Sequence, residues 1–339
     1  MWIRVVALAL LGATLGAPTG ALGGPGTLPT LLVDTNPLRM TAAPIHIAIE
    51  EGYFAREGVQ VSFLTLRGGA SQGIPALLTG RTDVYPASLG AAPLGAIQQG
   101  ARLRIVADYG HVDAGDRSGG IVLMVRQDLI DSGRFRTLRD LRGMRIGLAT
   151  RGGVGELFFR RILRDRAFLT EADVRLQDIP SQFQVDAFRA KALDASTVNE
   201  PFTTRLAILG LATAVVTLPD IIPRTQTETI IFGPNLLVRN PGLGQRFMNG
   251  YLRAIQQYNQ GKTDRNIAIL AKRLGEEEEV LRRMTWQKLR ADGRVNVESI
   301  MQMQAWWVRE GWLDRVVRVE EFLDMRFADQ AFRQLTQSR

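Results

Sequence analysis

Gly69-Ala-Ser-Gln-Gly73 satisfies the G-x-S-x-G spacing that sets a nucleophilic serine on a sharp strand-to-helix turn. Such a serine attacks only with a general base beside it, and that fold draws its base from a histidine late in the chain. The histidines here are His46, ahead of Ser71, and His111, and none follows. Ser71 therefore lacks the partner that hydrolysis needs. The same turn can bind instead: a glycine-rich turn entering a helix N-terminus leaves backbone N–H groups free at the positive end of the helix dipole. That arrangement suits a carboxylate, sulfonate, phosphate or polar ring atom. Glycines that merely permit a tight turn are the alternative reading. A second turn of this kind stands at Arg151-Gly-Gly-Val-Gly155.

Other chemical motifs fail on spacing. Gly153-x-Gly155 meets Phe158 where a dinucleotide fingerprint wants a third glycine, and Gly261-Lys-Thr263 has Gln256 where a P-loop wants its first. Two isolated histidines and no cysteine give no zinc ligand set, so neither cofactor nor metal is expected. Asn199-Glu200-Pro201 follows an apolar strand pattern. Glu200 is either an acceptor for an amine or aminopyrimidine or the solvated start of a helix with Pro201 in its first turn. His46 reads as a partly buried residue with a partner, and Trp306, Trp307 and Trp312 as helix-packing residues. An aromatic shelf for a ligand is the lesser reading of the three tryptophans.

The elements that carry these turns alternate. Strands are predicted at 30–33, 59–66, 83–85 and 103–107, with helices at 42–54, 72–79 and 90–99 between them. The pattern loosens at 108–120. A second series has strands at 121–125, 144–149, 174–179, 193–198 and 214–218, a helix in "TLRDLRG" ending at Gly143, and another from Val154 to Ile162. A Pro-containing connection, "TLPDIIPRTQTET", follows, and from Gly242 the chain reads as helical. Alternation of this kind implies an α/β protein whose sheets are mostly parallel with helices on both faces. Two loose connections bracketing one unit predict two lobes, lobe 1 from 29–112 and 225–339 and lobe 2 from 117–218, with a crevice between them. Ligands of open α/β sheets sit outside the carboxyl ends of the strands, where both glycine turns fall.

Composition agrees with a globular chain: 339 residues, 45% apolar and 22% charged, with a formal net charge of +8. Four lysines (Lys191, Lys262, Lys272, Lys288) among 42 basic residues leave an evenly spread arginine excess. No dense basic run or aromatic-basic motif supports nucleic-acid binding. Met1-Trp-Ile-Arg4, the apolar run Val5 to Leu15 and the small residues after it have the order of a secretory signal peptide over residues 1–21. The apolar run is shorter than the roughly 20 residues that span a bilayer. With no cysteine for lipid attachment, the expected location is the periplasm, as a monomer.

Several segments in order resemble one family. "APIHIAIEEGYFAREGVQV", "IPALLTGRTDV", "APLGAIQQGARLRIVAD", "LRDLRGMRIGLATRGG", "ALDASTVNEPF" and "LPDIIPRTQTE" are similar to the nitrate/sulfonate/taurine and thiamine-precursor (hydroxymethylpyrimidine) substrate-binding proteins of ABC importers. The resemblance covers residue 30 to the C-terminus. It implies a two-lobed type II periplasmic binding fold that closes on a small-molecule ligand and delivers it to an ABC permease and its ATPase. Carried over by position, it implies ligand contacts at Thr41, Ala42, Gly69, Ser71, Ser88, Gly152, Gly153, Asn199 and Glu200. His46 stands where the family often has an aromatic, and Leu193 where it often has a glycine. A pyrimidine-synthesis enzyme on the same fold and a ligand sensor without transport are the rival functions. Sulfonate, nitrate, bicarbonate, an aromatic carboxylate and a thiamine-related pyrimidine all remain open as ligands.

Overall fold

A computed structural model describes residues 27–66, 69–115, 120–149 and 151–337. The predicted signal peptide, 1–21, lies outside the described residues, as do Arg67, Gly68 and Thr150 beside the glycine turns.

Ten strands form two sheets: β1 (Thr30–Asp34), β2 (Gln60–Leu64), β3 (Val84–Ser88), β4 (Arg104–His111), β5 (Val122–Arg126), β6 (Arg145–Leu148), β7 (Arg175–Asp178), β8 (Ala195–Val198), β9 (Ala212–Thr217) and β10 (Gln226–Phe232). The first sheet runs β2-β1-β3-β10-β4 and the second β7-β6-β8-β5-β9. In each sheet one strand is antiparallel to its neighbours, β10 between β3 and β4, and β5 between β8 and β9. Both are the first strand after the chain crosses from one sheet to the other, so each enters its sheet from the crossing rather than from a helix packed on its face. The two sheets are thus the same design built twice, mixed but mostly parallel, with helices around them.

β10 corrects the sequence reading. The stretch "TQTET" ends the Pro-containing connection expected from the sequence, yet it enters β10, every residue of which is buried in the interior of the first sheet between β3 and β4. Its β-branched content, Thr227, Thr229, Ile230 and Ile231, is the strand signal that the polar residues mask. β4 likewise continues through Tyr109 and Gly110 to His111, beyond the expected end at 107. The expected helix over 42–54 breaks into Ala43–Glu50 and Tyr53–Arg56 at Gly52, whose φ of +66° ends the first piece. "TLRDLRG" forms a short 3-10 turn, Leu138–Leu141, with the Asp140 carboxylate accepting the Arg136 and Thr137 N–H groups.

The helices after 240 are Pro241–Tyr258, Asp264–Leu274, Val297–Arg309 and Arg326–Gln337, besides shorter ones. Thr263 and Asn296 cap two of them, accepting from Asn266 N and Ser299 N. Helix Pro241–Tyr258 buries Phe247, Met248, Tyr251, Leu252 and Ile255 at helical spacing against the first sheet, where Phe247 meets Phe232 at 6.0 Å. Each such side chain contributes on the order of 1.5–3 kcal/mol relative to exposure. Helix Val297–Arg309 behaves differently. Its Trp307 is fully buried in a core shared with Leu103 near the first sheet and Phe158 near the second. The indole N–H of Trp307 donates to Gly152 O at 2.9 Å, and Arg160 pairs with Glu310 at 2.7 Å. No helix among the described residues is long and apolar enough to cross a membrane.

Candidate functional site

Three helices begin where strands of the two sheets end: Ala70–Thr79, Ala91–Gln98 and Val154–Ile162. Their N-caps are Gly69, Gly90 and Gly153, and none receives a side-chain cap. A glycine cap leaves the first-turn N–H groups without an intrahelical or side-chain acceptor, so they are available to a guest. The turns meet across the gap, with Gly90 and Gly153 forming an isolated antiparallel bridge. Beside them lies a cavity of about 1670 Å³ walled from both sheets.

Of the residues expected to contact a ligand, Thr41, Gly69 and Ser88 line this cavity on the first-sheet side and Gly152, Gly153, Asn199 and Glu200 on the second-sheet side. Ala42 and Ser71 are not on its wall. Ala42 is fully buried as the N-cap of helix Ala43–Glu50, and Ser71 is exposed on the first turn of helix Ala70–Thr79. The G-x-S-x-G spacing has a structural origin. Gly69 adopts φ +55°, and a Cβ on Gly73 would stand 2.7 Å from the Tyr85 ring and 2.8 Å from Asp34 Oδ2. The second glycine lets the helix approach the strands.

The first-sheet wall is charged. Arg39 Nη2 donates to Glu228 Oε1 at 2.5 Å, and Ser88 Oγ donates to the same oxygen at 3.4 Å. Glu228 is 5% exposed, and its other oxygen, Oε2, is buried with no hydrogen-bond partner in the protein. Thr41 Oγ1, Tyr109 Oη and Arg39 Nε are buried without a well-formed partner on the same wall. The Glu228 charge holds the Arg39 guanidinium above its ordinary pKa despite burial. Burial, reinforced by the Glu228 charge, pushes the Tyr109 phenol up. Asp34 is raised by burial against the opposing hydrogen bond from Leu66 N, and burial with the Asp34 charge pushes Tyr85 up to about 12. Tyr109 and Tyr85 therefore stay neutral hydroxyls.

On the second-sheet wall the carboxylates are engaged by the protein. Glu200 Oε1 accepts from Thr204 Oγ1 at 2.8 Å and from Thr285 N at 3.2 Å, and Oε2 accepts from Thr204 N at 3.1 Å. Burial raises its pKa against those three bonds. Glu156, 1% exposed, accepts from Gly152 N at 2.8 Å and from Arg151 and Arg160. Asn199 Oδ1 alone on this wall is a buried acceptor without a partner. Trp312, read first as helix packing and second as an aromatic shelf, lines the cavity, and the Gly152 turn leaves 3.4 Å between its ring and a would-be Cβ.

Neither histidine is on the wall. His46 Nε2 lies 2.7 Å from Pro37 O and so carries the proton that this carbonyl accepts. Burial lowers its pKa, and its ring tilts against Phe63 at 4.8 Å. Burial opposes protonation of His111 too, but its hydrogen bond to Asp108 at 2.8 Å and the charges of Asp108 and Asp113 outweigh it, leaving the pKa raised. Asp108 is the hub of a buried network with Gly110 N, Gln226 Nε2 and Arg290 N, which ties β4 to β10 where the chain crosses between sheets. Among the described residues no group of three or more His, Cys, Asp or Glu could hold a metal ion. Arg39, Tyr109 and Glu228 escape a sequence reading, because Arg39 and Tyr109 sit outside any motif and Glu228 lies in the stretch read as a connection.

The model of the NMT1-like family matches residues 34–275. Among solved structures, the chain is similar to the alkanesulfonate-binding protein SsuA from Xanthomonas axonopodis pv. citri bound to MOPS. That match has TM-score 0.68 and 19% identity and covers 87% of this chain and 98% of that one. It is similar as well to the periplasmic nitrate-binding protein NrtA from Synechocystis PCC 6803, with TM-score 0.68 and 14% identity over 92% of this chain and 88% of that one. The desulfurization enzyme DSZB also aligns, with TM-score 0.64 and 17% identity over 92% of this chain and the whole of that one. The two-lobed fold of periplasmic binding proteins is therefore shared by carriers and by an enzyme. No curated protein sequence matches the chain.

Proposed function

The chain belongs to the NMT1-like family, and from that premise we propose that it is the periplasmic substrate-binding component of an ABC importer. In this reading it captures a small polar organic solute between lobe 1 (29–112 and 225–339) and lobe 2 (117–218) and presents the closed form to a permease and its ATPase. The observation that carries the reading is the cavity itself, whose wall takes Thr41, Gly69 and Ser88 from one side and Gly152, Gly153 and Asn199 from the other. A guest held by both sides binds the closed form better than the open one and so shifts the equilibrium toward closure. Contacts such as Trp307 to Gly152 and Thr285 to Glu200 then hold the lobes together.

The enzyme reading is the second one, since the fold also hosts DSZB. The cavity argues against it for this chain. Its wall holds no histidine and no cysteine, Tyr85 and Tyr109 are pushed toward the neutral phenol, and Glu156 and Glu200 are tied up by protein donors. Covalent or acid-base catalysis requires a nucleophile or base open to a guest, and Glu228, the wall's carboxylate with an unpartnered oxygen, is buried and ion-paired with Arg39, which favours a structural role for it. The test is a thermal-shift and calorimetric screen of the exported protein over sulfonates, nitrate, carboxylates and pyrimidines, with product analysis of each binder. A ligand at 100 times its Kd raises stability by about 2.7 kcal/mol. Binding of one class without turnover is the expected result, and conversion of the bound compound would establish the enzyme instead.

A further inference from the structure

We propose that the protein carries a second small-molecule site, apart from the solute cavity, that takes an amphipathic monocarboxylate: an apolar chain or ring ending in one carboxylate. The inference goes beyond the solute-binding reading and does not depend on which solute fills the large cavity. A cavity of about 340 Å³ opens between helix Val154–Ile162, with the π-helical turn Leu163–Ala167 that continues it, and helix Val297–Arg309. Pockets that hold small organic guests begin at about 300 Å³. Its apolar wall comes from both helices, Leu157, Leu163 and Leu169 from the first side and Met303 and Trp306 from the second, all buried. A wall of this kind gains about fourfold in affinity for each methylene it takes from water.

The polar part of the wall sets the charge of the guest. Four arginines line it, Arg160, Arg161, Arg164 and Arg309. Three are matched within the protein: Arg160 pairs with Glu156 at 3.0 Å, with Glu310 at 2.7 Å and with Glu171, while Arg161 and Arg164 share Asp165 at 2.7 and 2.6 Å. Arg309, exposed in the last turn of its helix, makes no ion pair among the described residues. One unmatched positive charge beside an apolar pocket calls for one negative charge on an apolar body. A neutral guest leaves Arg309 unpaired, and a cationic one is repelled by it. Arg160 lines both cavities, with its guanidinium over Trp306 at 5.9 Å and over Trp312 at 5.5 Å, and so stands in the wall they share. Met303 and Arg309 belong to the smaller cavity and not to the larger.

Calorimetric titration of the exported full-length protein, stripped of bound solute, with butanoate, octanoate, 1-octanol and octylamine tests the site. Octanoate is expected to bind at least about tenfold tighter than butanoate, which lacks four of its methylenes. It should also bind about fivefold tighter than octanol or octylamine, the upper scale of one exposed ion pair. Two variants keep the smaller cavity distinct from the larger. Arg309→Glu should erase the preference for the carboxylate or pass it to octylamine, and Met303→Trp, which fills the pocket, should weaken octanoate at least about tenfold. Because Arg309 is exposed, its reversal spares the core and decides the matter even if Met303→Trp folds poorly. Equal binding of octanol or octylamine, or a carboxylate preference that survives Arg309→Glu, overturns the proposal. Silence of octanoate at millimolar concentration overturns it too. Each of these failures leaves the solute-binding reading standing, since that reading is tested by the solute screen at the large cavity.

Discussion

Glu200 and Glu228 face one cavity from opposite walls, and they differ in what their oxygens touch. Glu200 stands at a strand's carboxyl end, the place where ligands of α/β sheets are sought, yet the protein fills both of its oxygens through Thr204 and Thr285. Glu228 lies inside an interior strand, where core is expected, yet one of its oxygens is buried without a protein partner. Position in the fold nominates residues; the account of donors and acceptors separates a carboxylate braced on both oxygens from one left half-unpaired. The two walls follow the same division, since the carboxylates of the second are bound to backbone and arginine while the first keeps its open valences around Arg39 and Glu228.

The largest expected effect is on the Arg39–Glu228 pair. With Glu228 buried and Arg39 largely so, Arg39→Ala leaves a buried carboxylate without its counter-charge and should cost about 3 kcal/mol in urea unfolding. Adding Glu228→Gln to Arg39→Ala should restore at least half of that loss, because the stranded charge is gone. A loss below about 1 kcal/mol for the single variant would mean that solvent reaches Glu228 freely, and the contrast between the walls would fail. Glu200→Ala comes next, at about 2 kcal/mol, for three hydrogen bonds of which one joins the lobes. Because Thr285 loses its acceptor only when the lobes are together, ligand affinity should fall in the same variant. Unchanged affinity in calorimetry would remove Glu200 from the set of closing contacts.

Much of this layout is legible before any coordinates. Alternation of apolar runs with helical segments carries the two α/β units, because burial on sheet faces imposes a period that composition cannot hide. The glycine turns announce the cavity through backbone chemistry, which needs no partner far away in sequence. Glu228 and Arg39 escape for the opposite reason. Their meaning lies in a contact between residues 189 positions apart, and the polar residues of "TQTET" disguise an interior strand whose Gln226 is satisfied by Gly110 O, Asp108 and Asn296. A buried polar strand reads as a loop until its partners are known. Trp312 is similar: three nearby tryptophans look alike in sequence, and only the approach of the Gly152 turn puts one of them on the wall.

A smaller effect sharpens the contrast through pH. Burial raises Glu200 above the ordinary carboxylate value of 4.5, so the unfolded chain ionises first as pH climbs. Below 4.5 both states hold the proton and the stability linked to it is fully present. Between 4.5 and the raised value the unfolded state binds fewer protons than the folded one, and stability falls. Glu200→Gln lacks this slope. From pH 4 to 7 the wild type should lose stability relative to the variant, read from urea midpoints at each pH. A difference that stays flat would place the Glu200 carboxylate in an environment as polar as water.

The smallest expected effect belongs to the residue that a motif search would rank first. Ser71 is exposed, lies off the cavity wall, and sits in a pentapeptide whose two glycines are explained by backbone conformation and by the approach to Tyr85 and Asp34. Ser71→Ala should change stability by less than about 0.5 kcal/mol, as surface substitutions do, and leave the affinity for any bound solute unaltered. Esterase assays on wild type and variant should both stay at background. Loss of binding in Ser71→Ala would show that the turn reaches the guest through its serine as well as its amides, and would add the helix start at Ala70 to the recognition surface.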